Sequence, residues 1–100
     1  MRISVTARHM DISEAVKDYA AEKVEKLPRL FDKVVSVDVV LDAADNGHSA
    51  ELILHQDRGP RIVAESKHAD MYVAIDDVID RMEHQLRKKK DILKNKRRKE

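Results

Sequence analysis

The sequence predicts an α+β fold: a two-layer sandwich, ordered β-α-β-β-β-α, whose four-stranded mixed sheet carries two helices on one face. Three observations predict it. Residues 2–7, 34–41, 48–56 and 61–66 alternate apolar and polar side chains with the period of a strand. Two other stretches, after the first strand and after the last, repeat apolar residues at helical spacing. Each strand offers a single apolar face, enough for two amphipathic helices to cover together, which leaves the other sheet face to water.

Taken in order, Ile3, Val5 and Ala7 point one way and Arg2, Ser4 and Thr6 the other, a half-buried first strand. Asp11 and Ser13 are candidate caps for the helix that follows, with Glu14 placed for a capping box on Asp11. Val16, Tyr19, Ala20, Val24 and Leu27 then recur on one face, while Glu22 and Lys26 form a favourable i,i+4 pair on another. Pro28 lacks an N–H and clashes with the preceding turn, so the helix is expected to end near Leu27, with Leu30 and Phe31 packing beyond it. Residues 34–41 hold five valines and give the strongest strand signal, with Val35, Val37, Val39 and Leu41 expected on one face. Asp45-Asn46-Gly47 is turn chemistry. Ala50, Leu52 and Leu54 face inward in the third strand, residues 57–60 turn, and Ile62 and Ala64 face inward in the fourth. Three strands joined by short turns form an antiparallel meander, and the crossover helix makes strands one and two parallel neighbours. Asp70 can cap the last helix, whose stripe runs Met71, Ile75, Val78, Ile79, Met82 and Leu86, with Leu93 a solitary continuation. Past Leu86 the stripe positions are taken by Lys89 and Lys96, so the last turns are expected to project past the sheet, with residues 95–100 fraying.

One hundred residues suit one domain, residues 1–100, with a core that aliphatic side chains must fill, because only Tyr19, Phe31 and Tyr72 are aromatic. The absence of cysteine excludes disulfides, thiolate metal sites and a cysteine nucleophile, and suits a cytoplasmic location. No apolar run reaches membrane-spanning length, and no signal peptide is expected.

The charge is distributed unevenly. Residues 81–100 carry ten Lys or Arg against three acids, a surplus of +7, while the first eighty carry ten against sixteen, a deficit of −6. On a helical wheel Arg81, His84 and Lys88 fall in one narrow sector opposite Ile75, Met82 and Leu86, and Arg87, Lys94 and Arg98 form an adjacent row. Such rows can reach successive phosphates. Ordinary solvation of an exposed helix is the plainer explanation of mixed charge, but a dense, one-sided surplus favours nucleic acid. Nothing marks a base-reading element over a phosphate-tracking one. Lys23, Lys26 and Arg29 extend the basic surface if the two helices lie side by side; otherwise they pair with Asp18, Glu22 and Glu25 on their own helix.

Catalytic chemistry finds little support. His9, His48, His55, His68 and His84 show no metal-pair spacing, so no metal or other cofactor is expected, and only His84, among cations, is placed to meet a phosphate or a base. The serines have no nucleophile signature, and Ser13 is best read as a helix-start residue. Asp76, Asp77 and Asp80 sit in the first half of their helix and the cations at its end, the order the helix dipole prefers, with Asp77 paired to Arg81. Two glycines, both in turns, leave no phosphate-cradling loop. An enzyme is not expected.

The run Asp70-Met71-Tyr72-Val73-Ala74-Ile75-Asp76, followed by a basic helix containing Gln85-Leu86-Arg87-Lys88-Lys89-Lys90, resembles the ribosome hibernation-promoting factor family, which includes the ribosome-associated inhibitor and was once named for sigma-54 modulation. Residues 3–9, 12–19 and 23–27 and the valine strand agree as well, so the resemblance covers nearly the whole chain. It implies the same β-α-β-β-β-α order and a cytoplasmic protein, monomeric when free, that occupies the messenger and transfer RNA channel of the small ribosomal subunit. Translation is then blocked and idle ribosomes are preserved by occlusion, without catalysis. Carried over by residue, the family's basic final helix falls on Arg81, Lys88, Lys90 and Lys94, with Arg87 and Lys89 adjoining, and the basic end of its first helix on Lys23 and Lys26. His84 departs from the pattern, standing where a cation is common. The resemblance implies a short form lacking the C-terminal dimerisation domain of long members, so that ribosome dimers would need a separate dimerising factor. Two alternatives are a regulator that sets its basic helix against an acidic protein, as the sigma-54 name suggests, and a general double-stranded RNA binder.

Overall fold

The computed structural model describes residues 2–27 and 34–98, with side chains described as far as Lys88. The elements are β1 (Arg2–Arg8), α1 (Glu14–Val24), β2 (Val34–Ala44), β3 (Gly47–Gln56), β4 (Ile62–His68) and α2 (Met71–Arg98). The sheet order is β1-β2-β3-β4, parallel between β1 and β2 and antiparallel in the other two pairs, as the crossover helix and short turns require.

Inward residues of the sheet (Val37, Val39, Leu41, Ala50, Leu52, Leu54, Ile62, Ala64) join Ala20, Val24 and Leu27 below α1 and the α2 stripe in one buried cluster. Both helices therefore lie on one face. Ala74 completes the expected stripe of Met71, Ile75, Val78, Ile79, Met82 and Leu86. Burial of each larger aliphatic side chain contributes about 1.5–3 kcal/mol, which is how so few aromatic residues suffice.

Three local features differ from expectation. Val35 is 51% exposed, not inward, because Val34 pairs with Gln56 and Ser36 with His55, making Val35 the extra residue of a bulge. Beyond that bulge the alternation resumes, and it is Val34 that packs against the core. At the start of α1 the cap is Ser13, in extended conformation, whose hydroxyl accepts from the Val16 N–H at 3.2 Å. That geometry puts the capping oxygen on the third helical residue, so the Asp11–Glu14 box does not form. At its other end α1 closes at Val24, and the chain tightens through a 3.3 Å bond from the Lys26 N–H to the Lys23 carbonyl before reaching Leu27. Arg29, Leu30 and Phe31 lie outside the described residues.

Gly47 follows the two-residue turn between β2 and β3 at φ 155°, and a Cβ there would meet the His68 carbonyl oxygen and, at 2.8 Å, the Ala69 Cα. Only glycine lets this turn lie so close to the end of β4. The Asp70 cap of α2 forms as expected: its carboxylate accepts from the Tyr72 N–H at 2.8 Å and its carbonyl from the Ala74 N–H at 3.0 Å.

Candidate nucleic-acid interface

The candidate interface is built on α2, and the core decides how α2 is held. Its apolar stripe lies on β3 and β4, and two polar links fix the seam. The buried Ser66 hydroxyl donates to the Ala74 carbonyl at 2.6 Å, and the Gln85 amide donates to the Val63 carbonyl of the edge strand at 3.1 Å. Among the residues whose side chains are described, Leu86 is the last of the stripe, and it is fully buried. The helix nevertheless continues to Arg98, so the residues expected to fray from position 95 are helical as far as Arg98. At about 1.5 Å per residue, the twelve residues after Leu86 add about 18 Å of helix. The long axis of the molecule, 51 Å against 25 and 19 Å, fits a helix that overhangs its sheet.

The predicted cations divide along this helix. Arg81 and Arg87 have side chains 60% and 63% exposed, and His84 and Lys88 are exposed beside them. The Arg81 Nε donates to Asp77 Oδ2 at 3.0 Å, as the sequence anticipated, and the His68 Nε2 lies 3.5 Å from the same oxygen. The Arg87 Nη2 donates to Glu83 Oε1 at 2.8 Å. From Met71 to Lys88 the helix carries four acids (Asp76, Asp77, Asp80, Glu83) against three cations (Arg81, Arg87, Lys88), a balance of −1. From Lys89 to Arg98 it carries six cations against Asp91, a balance of +5. The strongly basic part is thus the part after Lys88, including Lys89, Lys90 and Lys94, whose backbone is helical and whose side chains lie outside the described residues.

The structure brings Lys23 and Lys26 beside α2 but against its acids. Together with Leu27 they form one wall of a groove of ≈ 540 Å³ whose other wall is Asp76, Ile79, Asp80 and Glu83. Pairing of Lys23 or Lys26 with Asp18, Glu22 or Glu25 within α1 is not among the ion pairs of the described residues. Lys23 Nζ instead sits 5.4 Å from the Tyr19 ring centroid, a cation–π distance. Tyr19 meets Tyr72 edge to face, with centroids 5.0 Å apart and planes at 82°. Its hydroxyl donates to Asp76, and that bond to a carboxylate raises the Tyr19 pKa from 10.0 to about 12, with desolvation adding to the shift. An acidic strip therefore separates the two basic clusters, which the sequence left free to merge if the helices lay side by side.

The open sheet face holds a network that the sequence reading did not find. Strand register sets Ser4 beside Asp38 and places His55 diagonally across from it. The Ser4 hydroxyl donates to Asp38 Oδ1 at 2.6 Å, and the His55 Nε2 lies 3.0 Å from Asp38 Oδ2. These bonds, Ser4 first and His55 second, hold the Asp38 carboxyl below its usual range. The carboxylate stands between serine and imidazole, so the histidine cannot take the hydroxyl proton, and the array bonds three strands without activating a nucleophile. Nearby, the His9 Nδ1 at 3.0 Å likewise lowers the Asp42 carboxyl. Only the strand register, which one sequence does not disclose, could have revealed either pair.

Among the described residues no three metal-ligating side chains converge, and no helix is long and apolar enough to cross a membrane.

Comparison with known proteins agrees with this geometry. Residues 3–94 match the family described as sigma 54 modulation protein / S30EA ribosomal protein. A ribosome hibernation promoting factor from Escherichia coli strain K12 is 37% identical over 94 residues, covering 94% of this chain and 98% of the relative. One from Azotobacter vinelandii is 35% identical over 91 residues, covering 91% and 84%. Among solved structures, the N-terminal domain of Thermus thermophilus Protein Y superposes with a TM-score of 0.76 at 31% identity, covering 88% of this chain and 98% of that one. A ribosomal subunit interface protein from Coxiella burnetii, at 23% identity, shares the fold with a TM-score of 0.83 over 91% of this chain and 99% of its own. By sequence and by fold, the chain belongs to the sigma 54 modulation protein / S30EA ribosomal protein family.

Proposed function

We propose that this protein binds the small ribosomal subunit in the channel used by messenger and transfer RNA, and so silences and preserves idle ribosomes. The family is one of ribosome-associated hibernation factors, binding proteins and not enzymes, and regulation of translation through ribosome binding follows from membership. The observation that supports the finer reading is α2: a helix continuous to Arg98, held on the sheet as far as Leu86, whose charge turns from a balance of −1 up to Lys88 to +5 beyond it. A helix of that kind can enter a cleft walled by RNA without unfolding. Its cations, Arg81, Arg87, Lys88, Lys89, Lys90 and Lys94 with His84, replace condensed counterions on ribosomal RNA phosphates. Lys23 and Lys26 touch the RNA from the neighbouring helix end.

Inhibition in this account is competitive occlusion. No bond is made or broken, and no metal or other cofactor is needed. The protein acts in the cytoplasm as a monomer, residues 1–100 serving as one ribosome-binding unit, and ribosome dimers would form through a separate factor.

The test reverses charge on the overhanging helix. The variant Lys88→Glu/Lys90→Glu/Lys94→Glu should fold normally and fail to sediment with ribosomes. Wild-type binding should weaken with salt, log K falling by several units per decade for about five to eight phosphates neutralised. A shallow salt slope would favour an acidic protein partner, and full binding by the variant would remove α2 from the mechanism.

A further inference from the structure

Two of the arginines assigned to RNA are already engaged in the free protein. Arg81 holds Asp77 at 3.0 Å and Arg87 holds Glu83 at 2.8 Å, each one helical turn apart. Asp77 is shared with His68 at 3.5 Å, and Asp80 and Glu83 line the groove that Lys23 and Lys26 also face. These acids are not required by the core, since the side chains of Asp77 and Glu83 remain about one-third exposed. Helix stability explains them only in part, since each i,i+4 acid–arginine pair on an exposed helix face contributes only weakly. The dipole favours acids only in the first turn, and Asp76 to Glu83 lie in the second to fourth turns of α2.

We propose that Asp77 and Glu83 are specificity-determining residues of the RNA-binding helix. Resting on the ribosomal reading above, this assigns them a role against wrong ligands. Any RNA duplex can attract the cations past Leu86, but approaching the inner part of the helix means meeting carboxylates beside its phosphates. Each acid lies one turn before its arginine, so an irregular RNA surface that brings phosphates only to the far side of Arg81 and Arg87 meets less repulsion than a regular duplex laid along the helix. The pairs also turn each arginine along the helix surface, holding its guanidinium close to the backbone cylinder until a phosphate takes over one of its N–H bonds. The acids thus weaken generic binding more than cognate binding, and discrimination comes from a repulsive element.

The magnitude follows from charge alone. A carboxylate and a phosphate about 6 Å apart in water repel by about a threefold loss of affinity, so two acids suppress generic duplex binding about tenfold at low salt. The experiment compares wild type, Asp77→Asn, Glu83→Gln and the double variant by fluorescence anisotropy against two probes, purified small ribosomal subunits and a mixed-sequence RNA duplex. The double variant should bind duplex about tenfold more tightly and with a steeper salt dependence, while its affinity for subunits changes by less than about threefold. Glu83→Gln alone should give part of the same change, free of any effect on the His68 contact. A subunit-to-duplex affinity ratio that stays at the wild-type value in all three variants would overturn the inference. A wild-type protein that prefers duplex to subunits would instead overturn the ribosomal reading, and the inference with it.

Discussion

Leu86 is the last buried side chain of α2 among the described residues, and its truncation tests whether the helix is held where the structure holds it. The side chain is fully buried among the core aliphatics, and the chain beyond it makes up the basic overhang. Leu86→Ala removes buried carbon and leaves a cavity, a change that costs about 2–5 kcal/mol in well-packed sites. Leu86 closes one end of the buried stripe, where neighbours relax more easily, so the lower part of that range applies, about 2–3 kcal/mol. For a domain of this size each kcal/mol lowers the melting temperature by about 4–8 °C, giving a drop of roughly 10–20 °C. Circular dichroism thermal unfolding measures it, with Val63→Ala as the comparison. Val63 is 42% exposed on the edge strand, and its truncation should cost less than about 1 kcal/mol. If Leu86→Ala melts within about 2 °C of wild type, α2 is not anchored at this residue, and the division between core helix and overhang is wrong.

Two further outcomes follow from the same geometry. Gly47→Ala should destabilise by about 1–3 kcal/mol in denaturant unfolding, because the new Cβ meets backbone of the β4 end, which cannot swing aside; Gly59→Ala, at φ 110° with the flexible Gln56 amide 3.2 Å from its added carbon, should cost less. In an alkaline titration followed by tyrosinate absorbance, Tyr19 should ionise at about 12, not at 10.0, and Tyr19→Phe should remove that late step. Because the folded state holds the phenol neutral, the stability that Tyr19 contributes is fully present below pH 10 and is lost as the pH rises through about 12.

Much of this molecule can be read from residue order, and the places where that reading fails share a cause. Alternation and helical spacing depend on which face of an element is buried, so the inward residues of β3 and the α2 stripe were legible. Val35 was not, because a bulge shifts the parity of a strand without any glycine or proline to mark it. The Ser13 cap was anticipated, but whether Asp11 also joined it depended on backbone geometry that its sequence position does not settle. For the site, the surplus of cations in α2 and the Asp77–Arg81 pair follow from helical periodicity. The Glu83–Arg87 pair has the same spacing and could have been read by the same rule. The opposition of Lys23 and Lys26 to Asp76, Asp80 and Glu83 was beyond reach, because it arises only when α1 is laid against α2.

That opposition changes what the charge asymmetry means. The sequence shows a basic end and an acidic body, and the fold places the change within α2 itself, whose balance is −1 up to Lys88 and +5 from Lys89 to Arg98. If the proposed RNA binding holds, phosphates meet a cationic surface on one side of that boundary and cations interleaved with carboxylates on the other.

The most direct test of the account is sedimentation of the purified protein with purified ribosomes through a sucrose gradient at low and moderate salt, with and without messenger and transfer RNA already in place. Occupation of the channel predicts saturable binding near one protein per small subunit, lost when messenger and transfer RNA are present. Binding that persists undiminished on ribosomes already holding both RNAs would contradict it.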